Sequence, residues 1–156
     1  MRLTAHTDYA LRILLHAALA EGEGDGLLSI AQVARDHAIS RNHAMKVVNV
    51  LANAGLLATV RGRSGGFRLG RPAEDITLGE VVRLTEPGMK AADCEGCVLQ
   101  EFCGLTGMLA GAMRAFLGEL DRRTLAAAAA GSRLPARLAA GTMVTSPALD
   151  QERGEG

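Results

Sequence analysis

The sequence predicts a mainly α protein: a winged helix-turn-helix with a two-stranded wing and a long C-terminal dimerisation helix. Hydrophobic residues make up 48% of the 156 residues, whereas aromatic residues make up 3% and tryptophan is absent. Leu, Ala, Val and Met must therefore supply most of the core, which favours helices over a β-sandwich. Two short capped helices in close succession, with a glycine-rich hairpin directly after them, complete the pattern.

The first predicted helix covers residues 8–20. Thr7 is its predicted N-cap, and Asp8 lies in its first turn, where the helix dipole favours a carboxylate. Apolar residues recur at helical spacing along it, so one face belongs to the core. The glycine- and acid-rich run 21–26 ends the helix.

A helix-turn-helix follows. Ser29 and Gln32 form a capping box at the start of a short helix. After a short link, Ser40 caps a second helix over residues 41–54, and Gly55 stops it. The start of this second helix carries the candidate DNA-reading residues Ser40, Arg41, Asn42, His43 and Lys46. A second helix that opens on polar residues of these types is typical of a recognition helix.

The next segment predicts a wing. Short apolar runs at residues 56–60 and 67–69 flank a glycine-rich turn, which is a hairpin pattern. The candidate DNA contacts of the wing are Arg61, Arg63 and Arg68. Glycines beside them let the backbone and the guanidinium groups approach a groove closely.

Charge is distributed unevenly along the chain, although 17 basic and 17 acidic residues give a net charge of zero. Residues 35–71 hold seven basic residues against a single acid, Asp36. A local basic stripe suits a DNA-facing surface, because phosphate neutralisation supplies most non-specific affinity. A merely solvated charged face is the alternative.

Beyond the wing, Thr77 and Glu80 form another capping box. The helix that it opens leads into a loop over residues 88–104. A long helix is predicted over residues 105–130, with a broad apolar stripe formed by Leu105, Met108, Leu109, Ala112, Met113, Phe116, Leu117, Leu120 and Leu125. We expect this stripe to pair with a second copy in a homodimer, although packing within one chain is an alternative.

Four segments are therefore predicted: a DNA-binding domain over residues 1–73, a connecting helix and cysteine loop over 74–104, a dimerisation helix over 105–130, and a disordered tail over 131–156. The sequence contains no long uncharged apolar run typical of a membrane span, and its start does not resemble a signal peptide. We expect a cytoplasmic protein. Catalytic motifs of the common enzyme classes are absent, so we expect a protein that is not an enzyme.

All three cysteines of the chain lie in the loop, at Cys94, Cys97 and Cys103. An odd number without an export signal argues against a disulfide framework. Thiolates spaced C-x2-C-x5-C can converge on one soft metal centre, whose remaining position is filled from elsewhere. An iron–sulfur cluster and a zinc ion with one histidine ligand both fit this spacing. A thiol redox switch is a third alternative, but it leaves Cys103 without a role.

Taken together, these motifs resemble a known family over roughly residues 1–127. The resemblance rests on the opening runs MRLT and TDYALR, the recognition-helix run SRNH followed by KV, and the wing RGRSGGFRLGRPA, with the cysteines behind them. The chain is similar to the bacterial iron–sulfur-cluster winged-helix repressors of the IscR, RirA and NsrR type. It resembles the nitric-oxide-sensing NsrR branch most.

The resemblance implies a ligand set. Cys94, Cys97 and Cys103 would bind an iron–sulfur cluster, [4Fe–4S] in preference to [2Fe–2S], and Asp8 of the partner subunit would complete it. A carboxylate is a harder and weaker partner for iron than a thiolate, so that corner would be the labile one. Stabilisation of the helix N-terminus, worth roughly 0.3–1 kcal/mol, is the alternative role for this aspartate.

The resemblance further implies a homodimeric repressor that binds double-stranded operator DNA. Nitric oxide would nitrosylate the cluster and thereby lower the operator affinity. One alternative is a regulator of the same family that senses iron or cluster status. Another is a constitutive DNA-binding protein with a structural zinc site.

Overall fold

The computed structural model describes residues 2–21, 26–62, 65–86, 88–99 and 102–135. In chain order, its helices and strands are α1 (Ala5–Ala20), α2 (Ile30–Asp36), α3 (Arg41–Asn53), β1 (Leu57–Val60), β2 (Gly66–Leu69), α4 (Leu78–Thr85), α5 (Gly104–Asp121) and α6 (Leu125–Ala130). A short 3₁₀ turn, Ala73–Asp75, precedes α4. The predicted mainly helical fold with a two-stranded sheet is confirmed. Within the described residues, no helix has the length and apolar character needed to cross a membrane.

Helix α1 is the centre of the core. It packs against α3, α4, α6 and β2. Ile13 and Leu14 of α1, Leu51 of α3 and Phe67 of β2 are fully buried. Truncating any such side chain to alanine typically costs about 2–5 kcal/mol, because the neighbours only partly fill the cavity. The packing against α1 therefore sets the positions of both α3, the predicted recognition helix, and α4.

The helix-turn-helix and the wing form for the reasons that the sequence predicts. The Ser29 hydroxyl accepts the Gln32 N–H at 3.1 Å, and the Ser40 hydroxyl accepts the His43 N–H at 3.3 Å. Gly55 adopts a φ of +74°, the left-handed conformation typical of a residue just beyond a helix end. Strands β1 and β2 pair antiparallel, with Leu57 opposite Leu69 and Val60 opposite Gly66.

Helix α1 begins earlier than the sequence predicts. Its N-cap is Thr4 rather than Thr7, and the Thr4 hydroxyl accepts the Thr7 N–H at 3.4 Å. The Thr7 hydroxyl instead donates a hydrogen bond to Glu86 at 2.7 Å. Two threonines three residues apart both suit a cap, and the long-range contact with Glu86 engages the second of them.

The predicted continuous helix over residues 105–130 is wrong. Helix α5 ends at Asp121, and α6 begins at Leu125. Between them Thr124 is extended, with φ −88° and ψ 159°, and its hydroxyl caps α6 by accepting the Ala127 N–H at 3.1 Å. The sequence has a threonine cap at this point, which a search for apolar periodicity alone does not register.

Two backbone hydrogen bonds explain why the chain breaks there. The Leu78 N–H donates to the Arg123 carbonyl at 2.8 Å, and the Leu125 N–H donates to the Ile76 carbonyl, also at 2.8 Å. Leu125 is consequently 1% exposed and belongs to the core of the single chain, not to the stripe on α5. The stripe at the start of α5 is open to solvent, since Leu105 is 62% exposed.

The tail predicted over residues 131–156 is described only as far as Pro135, and residues 136–156 lie outside the described part. Residues 132–135 contain neither helix nor strand. They line a cavity beside α1 together with Arg12 and His16.

Gly79, in the first turn of α4, provides a test of the contact between α4 and α5. A Cβ atom at Gly79 would lie 2.0 Å from Asp121 Oδ1 and 3.0 Å from the Asp121 backbone nitrogen. Asp121 also accepts two hydrogen bonds from Arg83, at 2.5 and 2.7 Å. We expect Gly79→Ala to lower the free energy of unfolding by about 1–3 kcal/mol, because overpacking displaces α5. Urea denaturation measures this.

Gly118→Ala is the matched control, because no atom lies within 4 Å of a Cβ at this position of α5. It should be neutral or stabilising by up to about 1 kcal/mol, since alanine favours a helix over glycine. Equal effects of the two substitutions would contradict the close approach at Gly79.

Candidate functional site

The start of α3 presents polar side chains to solvent. Arg41, Asn42, His43 and Lys46 are all exposed, as is the capping residue Ser40. The opposite face holds the helix in the core through Ala44, Val47, Val48 and Leu51, which are at most 1% exposed. A helix held by its apolar face, with donors and acceptors on its free face, has the form that enters a major groove.

Helix α1 supports this reading helix directly. The rings of Tyr9 in α1 and His43 in α3 lie with their centroids 6.3 Å apart and their planes tilted by 38°. The first turn of the reading helix is therefore in contact with the first half of α1. A displacement of α1 would therefore change the contact between Tyr9 and His43.

Two further exposed residues share the free face of α3 and were missed by sequence reasoning. Met45 is 44% exposed, and Asn49 is also exposed. Residues 42, 45, 46 and 49 lie on one side of a helix, so the helical period contained the signal. Met45 was overlooked because a methionine is an ordinary core residue when only its chemistry is considered.

In the wing, Arg61 and Arg68 are exposed, whereas Arg63 lies outside the described residues. Arg71, part of the basic stripe in the sequence, forms an ion pair with Glu80 of α4. The stripe therefore contains one cation that is neutralised within the fold. The pairing joins the end of the wing to α4.

The first two cysteines are linked by a tight turn. The Cys97 N–H donates to the Cys94 carbonyl at 3.3 Å, and Gly96 between them has a φ of +74°. Such a turn needs a residue that tolerates a positive φ at its third position, which accounts for Gly96 in the sequence C-E-G-C. All three cysteines are free thiols, with Cys94 and Cys103 half-buried and Cys97 exposed.

Cys103 occupies the N-cap position of α5. Hydrogen bonding from the Thr106 side chain, followed by the backbone N–H groups of Leu105 and Thr106, lowers the pKa of the Cys103 thiol. A helix N-terminus favours the thiolate for the same reason. This cysteine is therefore predisposed to ionise, as a metal ligand must.

The types of donor in the loop fit an iron–sulfur cluster. Three thiolates on one short segment are the ligands that such clusters use. In the described part of the chain, however, no group of three or more His, Cys, Asp or Glu side chains is arranged to hold a metal ion. The three thiols have to draw together before all of them can act as ligands.

Asp8 is engaged within its own helix. Its carboxylate forms an ion pair with Arg12 one turn later, at 3.0 Å from Nε and 2.7 Å from a terminal nitrogen. The two side chains are 44% and 50% exposed, and exposed pairs at this spacing contribute only about 0.3–0.5 kcal/mol. Little free energy therefore holds Asp8 in this position.

Glu86, which caps the end of α4 just before the cysteine loop, contacts the start of α1. Its carboxylate accepts the Thr4 N–H at 2.6 Å and the Thr7 hydroxyl at 2.7 Å. Desolvation opposes ionisation of this carboxyl, but the hydrogen bonds from Thr4 and Thr7 outweigh it, so the pKa of Glu86 is lowered. The segment that carries the cysteines and the helix that carries Asp8 are thus tied together in one chain.

An exposed apolar surface runs from the cysteine loop onto α5. We call the residues Val98, Leu99, Phe102, Leu105, Met108 and Leu109 the apolar surface. Val98 is 93% exposed and Phe102 is 88% exposed. Exposed large apolar side chains of this kind are typical of interaction sites, because monomeric proteins rarely expose large apolar patches.

Comparisons with known proteins agree with this architecture. The family described as "Rrf2: Iron-dependent Transcriptional regulator" matches residues 3–131. The HTH-type transcriptional regulator NsrR of Bacillus subtilis (strain 168) is 45% identical over 130 residues, which cover 80% of this chain and 88% of that protein. Because such relatives are named transcriptional regulators, the prediction that the chain is not an enzyme is confirmed.

Solved structures show the same fold. CymR, the global cysteine regulator of B. subtilis, superposes with a TM-score of 0.69 at 28% identity, covering 85% of this chain and 99% of CymR. IscR of T. potens superposes with a TM-score of 0.66 at 24% identity, covering 88% of this chain and 96% of that one. At this level of identity, the likeness to IscR supports the fold alone.

The contact between Glu86 and α1 predicts a pH dependence. A carboxyl whose pKa is lowered by folding contributes stability above its unfolded pKa of about 4.3 and loses it as the pH falls through the folded value. We expect Glu86→Gln to reduce the free energy of unfolding near pH 7. The difference between variant and parent should shrink as the pH is lowered from about 6 to about 3.

Urea denaturation across this pH range measures the difference. Glu74→Gln, at an exposed position in the 3₁₀ turn, is the control and should show no such trend. A constant difference between parent and Glu86→Gln at all pH values would contradict the role of the ionised carboxylate.

Proposed function

Because this chain belongs to the Rrf2 family of transcriptional regulators, we propose that it is a cytoplasmic, homodimeric repressor whose iron–sulfur cluster senses nitric oxide. The observation that supports this most is the placement of the cysteines. All three lie in one loop that follows α4, and Glu86 at the end of α4 is hydrogen-bonded to Thr7 of α1, the helix against which α3 packs.

The proposed ligands are Cys94, Cys97 and Cys103 of one protomer and Asp8 of the partner subunit. A [4Fe–4S] cluster is favoured over [2Fe–2S]. When bound, the cluster supplies iron at which nitric oxide can react. Thr106 and the N-terminus of α5 stabilise the Cys103 thiolate for this role.

Asp8 is suited to be the exchangeable ligand. It is exposed, and its present partner Arg12 contributes little free energy to holding it, so its carboxylate can leave at small cost. Glu86 holds the start of α1 against the loop through Thr4 and Thr7 while this happens. Movement of the carboxylate therefore acts on α1 and, through Tyr9, on His43 of the reading helix.

On DNA, Arg41, Asn42, His43 and Lys46 would contact base edges and phosphates in the major groove. The Ser40 hydroxyl caps the end of α3 that carries these residues. Arg61, Arg63 and Arg68 of the wing would lie in or beside the minor groove, where arginine prefers narrow A·T-rich sequence. The apolar surface would be covered by a second copy, which sets two reading helices about 34 Å apart on successive turns of the operator.

The regulation needs only a modest coupling. A hundredfold loss of operator affinity corresponds to about 2.7 kcal/mol between the cysteine loop and the reading helix, within the usual range of allosteric systems. The family description as iron-dependent regulators favours one second candidate, a sensor of iron or cluster status. Operator binding after mild iron chelation, without nitric oxide, distinguishes the two.

The cofactor is tested by visible spectroscopy of protein purified without oxygen. We expect a brown protein with a broad visible band, and stepwise nitric oxide should remove this band and the operator affinity in parallel. Cys97→Ser should lose the band, because one of three thiolate ligands is gone, whereas Glu95→Gln in the same turn should retain it.

A colourless parent protein that contains one equivalent of zinc would overturn the cluster. An Asp8→Ala variant that holds its cluster and responds to nitric oxide as the parent does would overturn the proposed role of Asp8 alone.

The exposure of Met45 on α3 predicts a contact with a specific base. An exposed apolar side chain amid polar neighbours on a recognition helix suits contact with the methyl group of thymine. In an operator selected from random sequence, replacing single thymines by deoxyuridine should weaken parent binding about 3- to 10-fold at one or two positions per half-site. Met45→Ala should bind the original operator more weakly by a similar factor and be insensitive to those replacements.

Val60→Ala serves as the control, because Val60 is 42% exposed at the end of β1 rather than on the reading helix. It should show the parent's sensitivity to deoxyuridine. A parent protein that is indifferent to every replacement would contradict the methyl contact. Fluorescence anisotropy at fixed salt concentration measures all of these affinities.

A further inference from the structure

A cavity of about 390 Å³ lies between α1, the end of α2 and the segment that follows α6. Arg12 and His16 line it from α1, Asp36 and His37 line it from the end of α2, and residues 132–135 line it from the segment after α6. The cavity therefore adjoins the turn that joins the two helices of the helix-turn-helix. It shares no residue with the cysteine loop.

Asp36 leaves an unsatisfied group in this cavity. Its Oδ2 atom is buried and has no hydrogen-bond partner among the described residues. A buried carboxylate oxygen is costly unless a donor, and above all a cation, meets it. Arg12, His16, His37 and Arg133 line the same cavity, and Asp8 of α1 acts electrostatically on His37.

The two histidines do not supply that charge. His16 Nδ1 and His37 Nε2 lie 3.0 Å apart and share one hydrogen bond. Burial first, and then the neighbouring His37, lowers the pKa of His16, and burial likewise lowers the pKa of His37. Burial therefore favours the neutral form of both rings, although the Asp36 carboxylate opposes this shift at each of them.

Arg12 of α1 and Arg133 of the segment after α6 are the cations that line the same cavity, and Arg12 is the one paired with Asp8. Its present partner Asp8 lies on the exposed side of α1, and both side chains of that pair are about half exposed. A guanidinium has five N–H donors in a fixed fork, so it can address a second carboxylate once the first is removed.

We propose that Arg12 exchanges carboxylate partners, binding Asp8 while that side chain is free and Asp36 once Asp8 has been withdrawn as a ligand. Asp36 is then a positioning residue that reports the state of Asp8 to the helix-turn-helix. This rests on the proposed function, because ligation is what withdraws Asp8.

The geometry of the turn after α2 explains how a contact at Asp36 can affect the helix-turn-helix. Ala38, two residues later, has a φ of +53°, a left-handed conformation that costs a residue with a Cβ atom free energy. The Ile39 N–H is held by the Ala34 carbonyl at 2.8 Å, which closes the end of α2. A new contact at Asp36 therefore acts on the angle between α2 and the reading helix.

A double-mutant cycle tests the exchange in the full-length, cluster-free protein. Arg12→Gln and Asp36→Asn are combined in the parent and in the Asp8→Ala background, and unfolding by urea is followed. In the parent, we expect the two substitutions to be additive to within about twofold in the unfolding equilibrium constant. In the Asp8→Ala background, we expect a coupling of about fivefold or more.

A cycle of Arg83→Gln and Asp121→Asn is the matched control. This ion pair joins α4 to α5, away from the cavity, and its coupling should be equal in the two backgrounds. A coupling between Arg12 and Asp36 that is absent after Asp8→Ala, or equal in both backgrounds, overturns the exchange. A merely structural role of Asp36 would not depend on Asp8.

Nuclear magnetic resonance of the folded protein provides a second readout that does not require the variants to be equally stable. The Arg12 Nε–H resonance should shift on Asp8→Ala, and Asp36→Asn should abolish that shift. An unchanged resonance would overturn the exchange. Because both measurements use cluster-free protein, they separate failure of the exchange from failure of nitric oxide sensing, which the visible spectrum tests.

Discussion

The burial of α1 is the constraint on which the rest of the structure depends. Ala10, Ile13, Leu14 and Ala17 have no exposed surface, and they hold α1 against the reading helix, the wing and α4 at once. A helix wedged among several neighbours at native packing density moves as a rigid body or not at all. A displacement of α1 would therefore also displace the elements packed against it.

The polar residues at the start and along the length of α1 contact different parts of the protein in turn. Thr4 and Thr7 meet Glu86 at the start of the cysteine loop, Asp8 and Arg12 follow, and His16 meets His37 at the helix-turn-helix. One helix thus touches the segment proposed to hold the cofactor and the segment proposed to read DNA.

Local chemistry made much of this fold predictable. The serine caps of α2 and α3, the glycine beyond α3, the threonine cap of α4 and the glycine-rich wing are decided by neighbouring residues, and the structure has each of them. Three other features depend on residues that are distant in sequence or on the opposite side of a turn. They are the α1 cap, the break after Asp121 and the pairing of Arg71 with Glu80. In the candidate site, the helical period predicted which face of α3 is exposed. Whether three thiols on a loop come together depends on the tertiary structure, which the spacing of the cysteines in the sequence does not determine.

Helix α5 has no buried residue along its 18 positions within the single chain. Leu105 and Met108 remain 62% and 73% exposed, so much of the burial energy of the apolar surface is still available. Whatever surface covers them adds that energy to the folded state by mass action, so the apparent stability of the protein rises with the concentration of the covering partner. A partner that covers these side chains would therefore raise the melting temperature as its concentration rises.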